Sequence, residues 1–242
     1  MRKTTLPQQP ALDRQRIIQT ALDLIDTQGL AGFSIRQVAK ALGVYPTAIY
    51  WHVPNLAALQ AAVVAHVQHG MMPSPDLASW QDWLKQLLHN FREKVKAHPN
   101  TAPLIGAHLS ANSEVDLVQV EYILGKLQEA GFVMPALLHA YNTVVAAMTG
   151  FTTLEFAAQP EDDMENWQQQ LQHRLDTLES GRYPVLASLL PGVQNQGFIF
   201  RWDNGKQQPM DTSFDHYTET VILGLEQLLA RQSTRPAEEI KA

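Results

Sequence analysis

Apolar side chains recur along this chain at intervals of three and four residues, the spacing that lines one face of an α-helix. Ile18, Ala21, Leu22 and Ile25 keep that interval, and Gly29 follows where helices commonly stop. Trp80, Trp83, Leu84, Leu87, Leu88, Phe91 and Val95 draw a long stripe over 76–97, which His98-Pro99 ends because proline cannot continue a helix. Leu117, Val120, Leu124 and Leu127 predict a helix over 113–130, closed by Gly131. Leu137, Tyr141, Val144, Val145, Met148 and Phe151 predict a longer one over 134–157. Met164, Trp167, Leu171, Leu175 and Leu178 predict another, closed by Gly181. Phe214, Tyr217, Val221, Leu225 and Leu228 predict the last, over 211–231.

Two stretches break the rhythm. Residues 71–75 form a short Pro-containing joint, a boundary between a small N-terminal domain and a large body. Residues 191–209 read as a long loop; Asn204-Gly205 could turn a hairpin there, but an ordered loop is the favoured reading. The pattern therefore predicts an all-α chain. Domains are expected over 11–72 and 73–232, with disordered tails at 1–10 and 233–242.

Composition then narrows the function. With 45% hydrophobic residues, the 242-residue chain has enough apolar material for a sizeable core. The net charge of −6 argues against a protein that coats nucleic acid generally. The charge is uneven, however. Residues 1–70 hold six Lys/Arg (Arg2, Lys3, Arg14, Arg16, Arg36, Lys40) and three acids (Asp13, Asp23, Asp26), a net of +3. The remainder holds the other twelve bases and twenty-one acids, a net of −9. That asymmetry suits a nucleic-acid-facing head on a differently employed body.

With no cysteine, disulfides, Cys-ligated zinc and thiol catalysis are all excluded. The start of the chain has no apolar run of a signal peptide, and no stretch is long and apolar enough to span a bilayer. A cytoplasmic protein with no membrane partner is expected. Gly-x-Ser-x-Gly, His-Glu-x-x-His, Walker and Gly-x-Gly-x-x-Gly motifs are all missing, so an enzyme is not expected. Asp162-Asp163 reads as a favourable acidic helix start rather than a catalytic pair.

The most informative segment is FSIRQVAKALGVYPTAIYWH, residues 33–52. Ser34 is a good N-cap before the periodic run Ile35, Val38, Ala39, Leu42. Ala39 allows close helix crossing, and Gly43 suits a sharp reversal. Val44 is expected to enter the core. Pro46 sits in the first turn of a second helix, where its missing N–H costs little. Ile49 should face inward, leaving Tyr45, Thr47, Ala48, Tyr50 and His52 to face elsewhere. That layout matches a recognition helix, whose first residues meet base edges in the major groove. Trp51 is expected to be buried and Tyr50 exposed. Spacing alone leaves any αα-hairpin open as the alternative.

Residues 17–58 resemble the DNA-binding domain of the TetR family of one-component repressors, and Ile49-Tyr50-Trp51-His52-Val53 carries the family's aromatic–His ending. Tyr-Trp-His, together with Ser79-Trp80-Gln81-Asp82 and Gly224-Leu225-Glu226, is similar to the tetracycline-repressor branch. The resemblance implies an N-terminal three-helix helix-turn-helix domain and a larger helical ligand-binding and dimerisation body. It also implies a homodimer on a near-palindromic double-stranded operator, released by a small-molecule effector. By matching position, Ser34 and Arg36 would meet phosphate or base. Tyr45, Pro46 and Thr47 would read sequence, and Tyr50 and His52 would hold the backbone. Dimerisation would use helices 134–157 and 211–231. The loop Pro54-Asn55-Leu56 lacks the lysine many relatives carry there, which implies a shallower salt dependence, part of the charge coming from Arg2, Lys3, Arg14 and Arg16.

The tetracycline branch holds a magnesium–drug chelate with His, Asn, Thr and Glu. Here the Asn position falls at Leu87, the ligating His falls near Ile105 with His108 one turn on, and Glu155 is close to the partner-chain Glu but out of register. Magnesium–tetracycline is therefore disfavoured and no cofactor is expected. The effector is expected to be largely apolar or aromatic, with Trp83, Leu87, Phe91, His108, Tyr122, Tyr141 and Met148 as candidate linings. Ordinary core packing is the competing reading for each. Two alternatives of other kinds remain: a metal-responsive regulator using His66 and His69, three apart, and a helical interaction protein that never touches DNA.

Overall fold

The computed structural model describes residues 12–107, 117–159 and 163–234. The predicted tail 1–10 and residues 235–242 lie outside them. Among the described residues the chain is all-helical, with eleven α-helices and no strand. It forms two compact units, one over residues 12–66 and one built from the described residues beyond.

The first unit opens with α1 (Arg14–Gln28), capped by Asp13, which accepts a hydrogen bond from the Arg16 amide at 2.8 Å. Its stripe Ile17, Ile18, Ala21, Leu22 and Ile25 is buried. α2 (Ile35–Leu42) begins at Ser34, whose hydroxyl accepts from the Gln37 amide. It ends at Gly43, whose φ of 69° lies in the left-handed region. That conformation lets the Gly43 and Val44 amides return to carbonyls of the last turn of α2. The chain reverses there and enters α3 (Pro46–Tyr50) with Pro46 in the first turn. α4 (Leu56–Gln68) follows, with Asn55 accepting from the Ala58 amide at 2.8 Å. Val44 is half-buried rather than a core residue; Ile49, Val53, Leu59 and Val63 are fully buried instead.

In the second unit, α5 (Trp80–Ala97) starts at Ser79, which caps the Asp82 amide and donates back to the Asp82 carboxylate at 2.7 Å. The helix therefore begins four residues later than the periodicity suggests. After a short 3-10 turn (Pro99–Thr101) come α6 (Ala102–Ala107), α7 (Leu117–Glu129) and α8 (Ala136–Glu155). α9 (Met164–Asp176), α10 (Pro184–Val193) and α11 (Asp211–Thr234) complete it. Residues 233 and 234 are thus helical, not part of a tail. One core joins α5, α7, α8 and α11 through Trp83, Leu87, Phe91, Leu127, Val144, Phe151 and Phe214.

The loop expected over 191–209 starts later, because residues 191–193 complete α10; from 194 the segment is an ordered loop with a 3-10 turn at Phe198–Phe200, not a hairpin. Its hub is Asn195, held at a φ of 56°. The Asn195 side chain donates to Asp203 and Gln208 and accepts the amides of Trp202 and Asp203. The loop docks on the end of α8: the Gly205 amide donates to the Glu155 carbonyl at 2.8 Å, and Asn204 to the Ala157 carbonyl at 3.2 Å.

Candidate nucleic-acid interface and effector body

α2 and α3 pack against each other in one small unit, and each leaves part of its surface exposed. Arg36 and Lys40 are exposed on α2. Tyr45, which precedes α3, is 83% exposed, Thr47 is exposed, and Tyr50 is half exposed. Ser34, Pro46 and His52 are partly buried. The expected burial of Trp51 is overturned, because its side chain is 88% exposed. The reason lies in its neighbours. Ile49 and Val53, four residues apart, point into the core, so the residue midway between them points away. The surface around α3 is therefore richer in aromatic groups than the sequence suggests: Tyr45, Tyr50 and Trp51 are all open.

The effector candidates divide into groups. Trp83, Leu87, Phe91 and Met148 are buried in the core of the second unit, and Tyr141 packs against it. Tyr122 does not join them; it is 43% exposed on the outer side of α7. His108 lies outside the described residues. Trp83 keeps an indole N–H with no acceptor among the described residues.

The sequence reading missed a buried ion cluster. Arg92 Nε and Nη2 each donate to one Glu155 oxygen at 2.7 Å, and Nη2 also donates to Asp211 at 2.7 Å. Glu155 accepts in addition from the Met210 amide at 2.8 Å. Burial works against the Arg92 charge, but hydrogen bonds and attraction from Glu155 and Asp211 outweigh it and hold the guanidinium more firmly protonated than usual. The Arg92 hydrogen bond holds Asp211 below the ordinary carboxylate value. Burial lowers Arg201 nearby, against the opposing pull of Glu155 and Asp203. One signal was available: Arg92 falls four residues after Leu88, on the apolar stripe of α5.

Among the described residues no three His, Asp or Glu side chains gather as a metal site, and no helix is long and apolar enough to cross a membrane. α4 ends at Gln68, so His69 lies beyond the helix that carries His66.

A capped helix-turn-helix with an exposed short second helix, followed by a larger helical body, defines a DNA-binding regulator rather than an enzyme. Comparison with known proteins agrees. Residues 17–71 match the bacterial regulatory proteins of the tetR family, and residues 72–200 match the tetracyclin repressor-like C-terminal domain. The chain belongs to the TetR family of transcriptional regulators, which join a DNA-binding helix-turn-helix to a ligand-binding body. It is 26% identical over 236 residues to the class C tetracycline repressor of Escherichia coli, covering 95% of this chain and 97% of that one. It is 25% identical over 240 residues to the transcriptional repressor DrrR1 of Streptomyces coeruleorubidus, covering 92% and 80%. The fold is similar to Streptomyces coelicolor ActR bound to actinorhodin, with a TM-score of 0.67, 21% identity and coverage of 90% and 96%. It is also similar to BioQ on its operator DNA, with a TM-score of 0.55, 26% identity and coverage of 66% and 95%.

Proposed function

We propose that this chain is a cytoplasmic homodimeric repressor. Each copy sets α3 in a major groove of a near-palindromic operator and leaves it when a largely apolar or aromatic effector binds the helical body. The observation carrying the DNA reading is the open face of Tyr45, Thr47, Tyr50 and Trp51 beside Arg36. Tyr45, Pro46 and Thr47 read bases, while Ser34, Arg36, Tyr50 and His52 hold phosphates. Trp51 joins the backbone contacts.

Leu138, Val145 and Leu154 on α8, with Leu223 and Leu228 on α11, leave apolar surface exposed, which supports pairing of two copies through these helices. The aromatic core around Trp83, Leu87 and Phe91 supports an apolar effector. Magnesium–tetracycline is disfavoured, because the Glu155 carboxylate is spent on Arg92 and Met210 and Leu87 offers no polar group. An effector acts by binding one arrangement of the dimer better than the other.

Gel-shift titration against the DNA upstream of its own gene tests this reading. Thr47→Ala should relax sequence preference, and Trp51→Ala should weaken binding without altering the melting temperature. Absence of any sequence-selective shift at low salt, together with a monomer in sedimentation at micromolar concentration, overturns the reading.

A further inference from the structure

A groove of about 360 Å³ runs along the outer side of α7, within the size range of small-ligand sites. Its apolar surface comes from Pro75, Leu117 and the half-exposed ring of Tyr122, and Gly125 leaves its floor open. Its charged groups are Glu121, Glu129 and Lys126. The Lys126 ammonium lies at the groove and donates two hydrogen bonds, to the Pro75 carbonyl at 3.1 Å and to Glu129 at 2.8 Å. One carboxylate and one carbonyl thus hold the ammonium, and a second carboxylate, Glu121, lines the same groove.

We propose that this groove binds an organic cation with an apolar or aromatic body, and that Lys126 fills the cation position until such a ligand displaces it. The acceptor set favours that charge. Glu121 supplies a second carboxylate, and the Tyr122 ring lining the groove is an aromatic surface of the kind that attracts cations. An anion would find one ammonium, with two of its three N–H groups already engaged, in a lining that carries two carboxylates. Lys126 also lines a narrow crevice with Trp80 and Trp83. The groove is lined by α7 and Pro75, whereas the proposed effector core is centred on α5 and α8.

Isothermal titration of the full chain with benzyltrimethylammonium, and with benzenesulfonate as the anionic counterpart, tests the proposal. Saturable one-to-one binding of the cation alone is expected. Tyr122→Leu should weaken it about two- to fivefold, the size of an exposed cation–π contact, and Glu121→Gln should weaken it too. Lys126→Met should tighten it, since the internal competitor is gone. Gly125→Phe should abolish it by filling the groove; a Cβ at Gly125 meets open space, so the helix accommodates the change. Unaltered circular dichroism separates lost binding from lost folding. Absence of cation binding to both the parent chain and Lys126→Met overturns the proposal. So does weaker binding to Lys126→Met, or binding of benzenesulfonate in place of the cation.

Discussion

Arg92 and Glu155 meet side by side in the core of the helical body, two parallel hydrogen bonds of 2.7 Å joining side chains that are 5% and 0% exposed. The pair ties the middle of α5 to the last residue of α8. Removing one member of a buried pair strands the other charge, at a cost of about 3–5 kcal/mol, whereas replacing both with apolar groups can be nearly neutral. Arg92→Met is therefore expected to lower the melting temperature strongly, and Arg92→Met with Glu155→Leu to recover much of the loss. Thermal denaturation of the single and double variants checks this ordering.

Asp211 shares the same guanidinium but sits at the surface, with 63% of its side chain exposed. Its folded-state pKa is depressed below the ordinary 3.8, chiefly by the Arg92 hydrogen bond. A depressed carboxylate adds stability that is fully present above its unfolded value and fades as pH falls through the folded one. Asp211→Asn should thus be less stable than the parent at neutral pH, and the gap should close below pH 3.8. Urea midpoints measured from pH 7 downward give the difference; a gap that widens in acid contradicts the assignment.

Gly43 and Gly205 resist substitution for different reasons. At Gly43 an added Cβ meets nothing, but the φ of 69° is left-handed, so Gly43→Ala should cost about 1 kcal/mol. At Gly205 the backbone is ordinary, but a Cβ would lie 2.5 Å from the Phe156 ring and 2.8 Å from Glu155. Gly205→Ala should therefore be the more damaging change, and it should loosen the loop from α8. Melting temperatures rank the two, and limited proteolysis between 194 and 210 reports the loosening.

Pro54 is exposed in the segment between α3 and α4, which carries no Lys or Arg. Each added phosphate contact steepens the salt dependence of DNA affinity by about one unit of slope on a log–log plot. Pro54→Lys should produce that change, and removal of residues 1–10 should flatten the parent's slope. An unchanged slope after truncation removes Arg2 and Lys3 from the interface.

The helix-turn-helix was legible because its signals are local. Ser34, Gly43 and Pro46 each act within four residues of themselves, through a cap, a left-handed turn and a fixed φ. Trp51 was misread because its direction depends on how the chain leaves α3, where Ile49 and Val53 take the inward positions. α10 escaped notice because PVLASLLPGV has no charged face to give a period, and Pro191, the expected start of the loop, lies inside the helix; Pro184 sits harmlessly in its first turn. The Arg92 cluster joins residues 63 and 119 positions apart, a distance no periodicity spans. The same is true of Tyr122 and Lys126 beside Pro75: the helix was predictable, but which of its faces meets the 71–75 joint was not.

The docking of residues 204 and 205 on α8 has a consequence for how the body opens. A helix leaves its last carbonyls without partners, and α8 receives donors for its end from a segment about fifty residues further along the chain. The terminal turn of α8 and the 194–210 loop therefore open and close as one cooperative unit. The Gly205 amide, though part of a loop, should exchange its proton at the pace of the helix end that it seals.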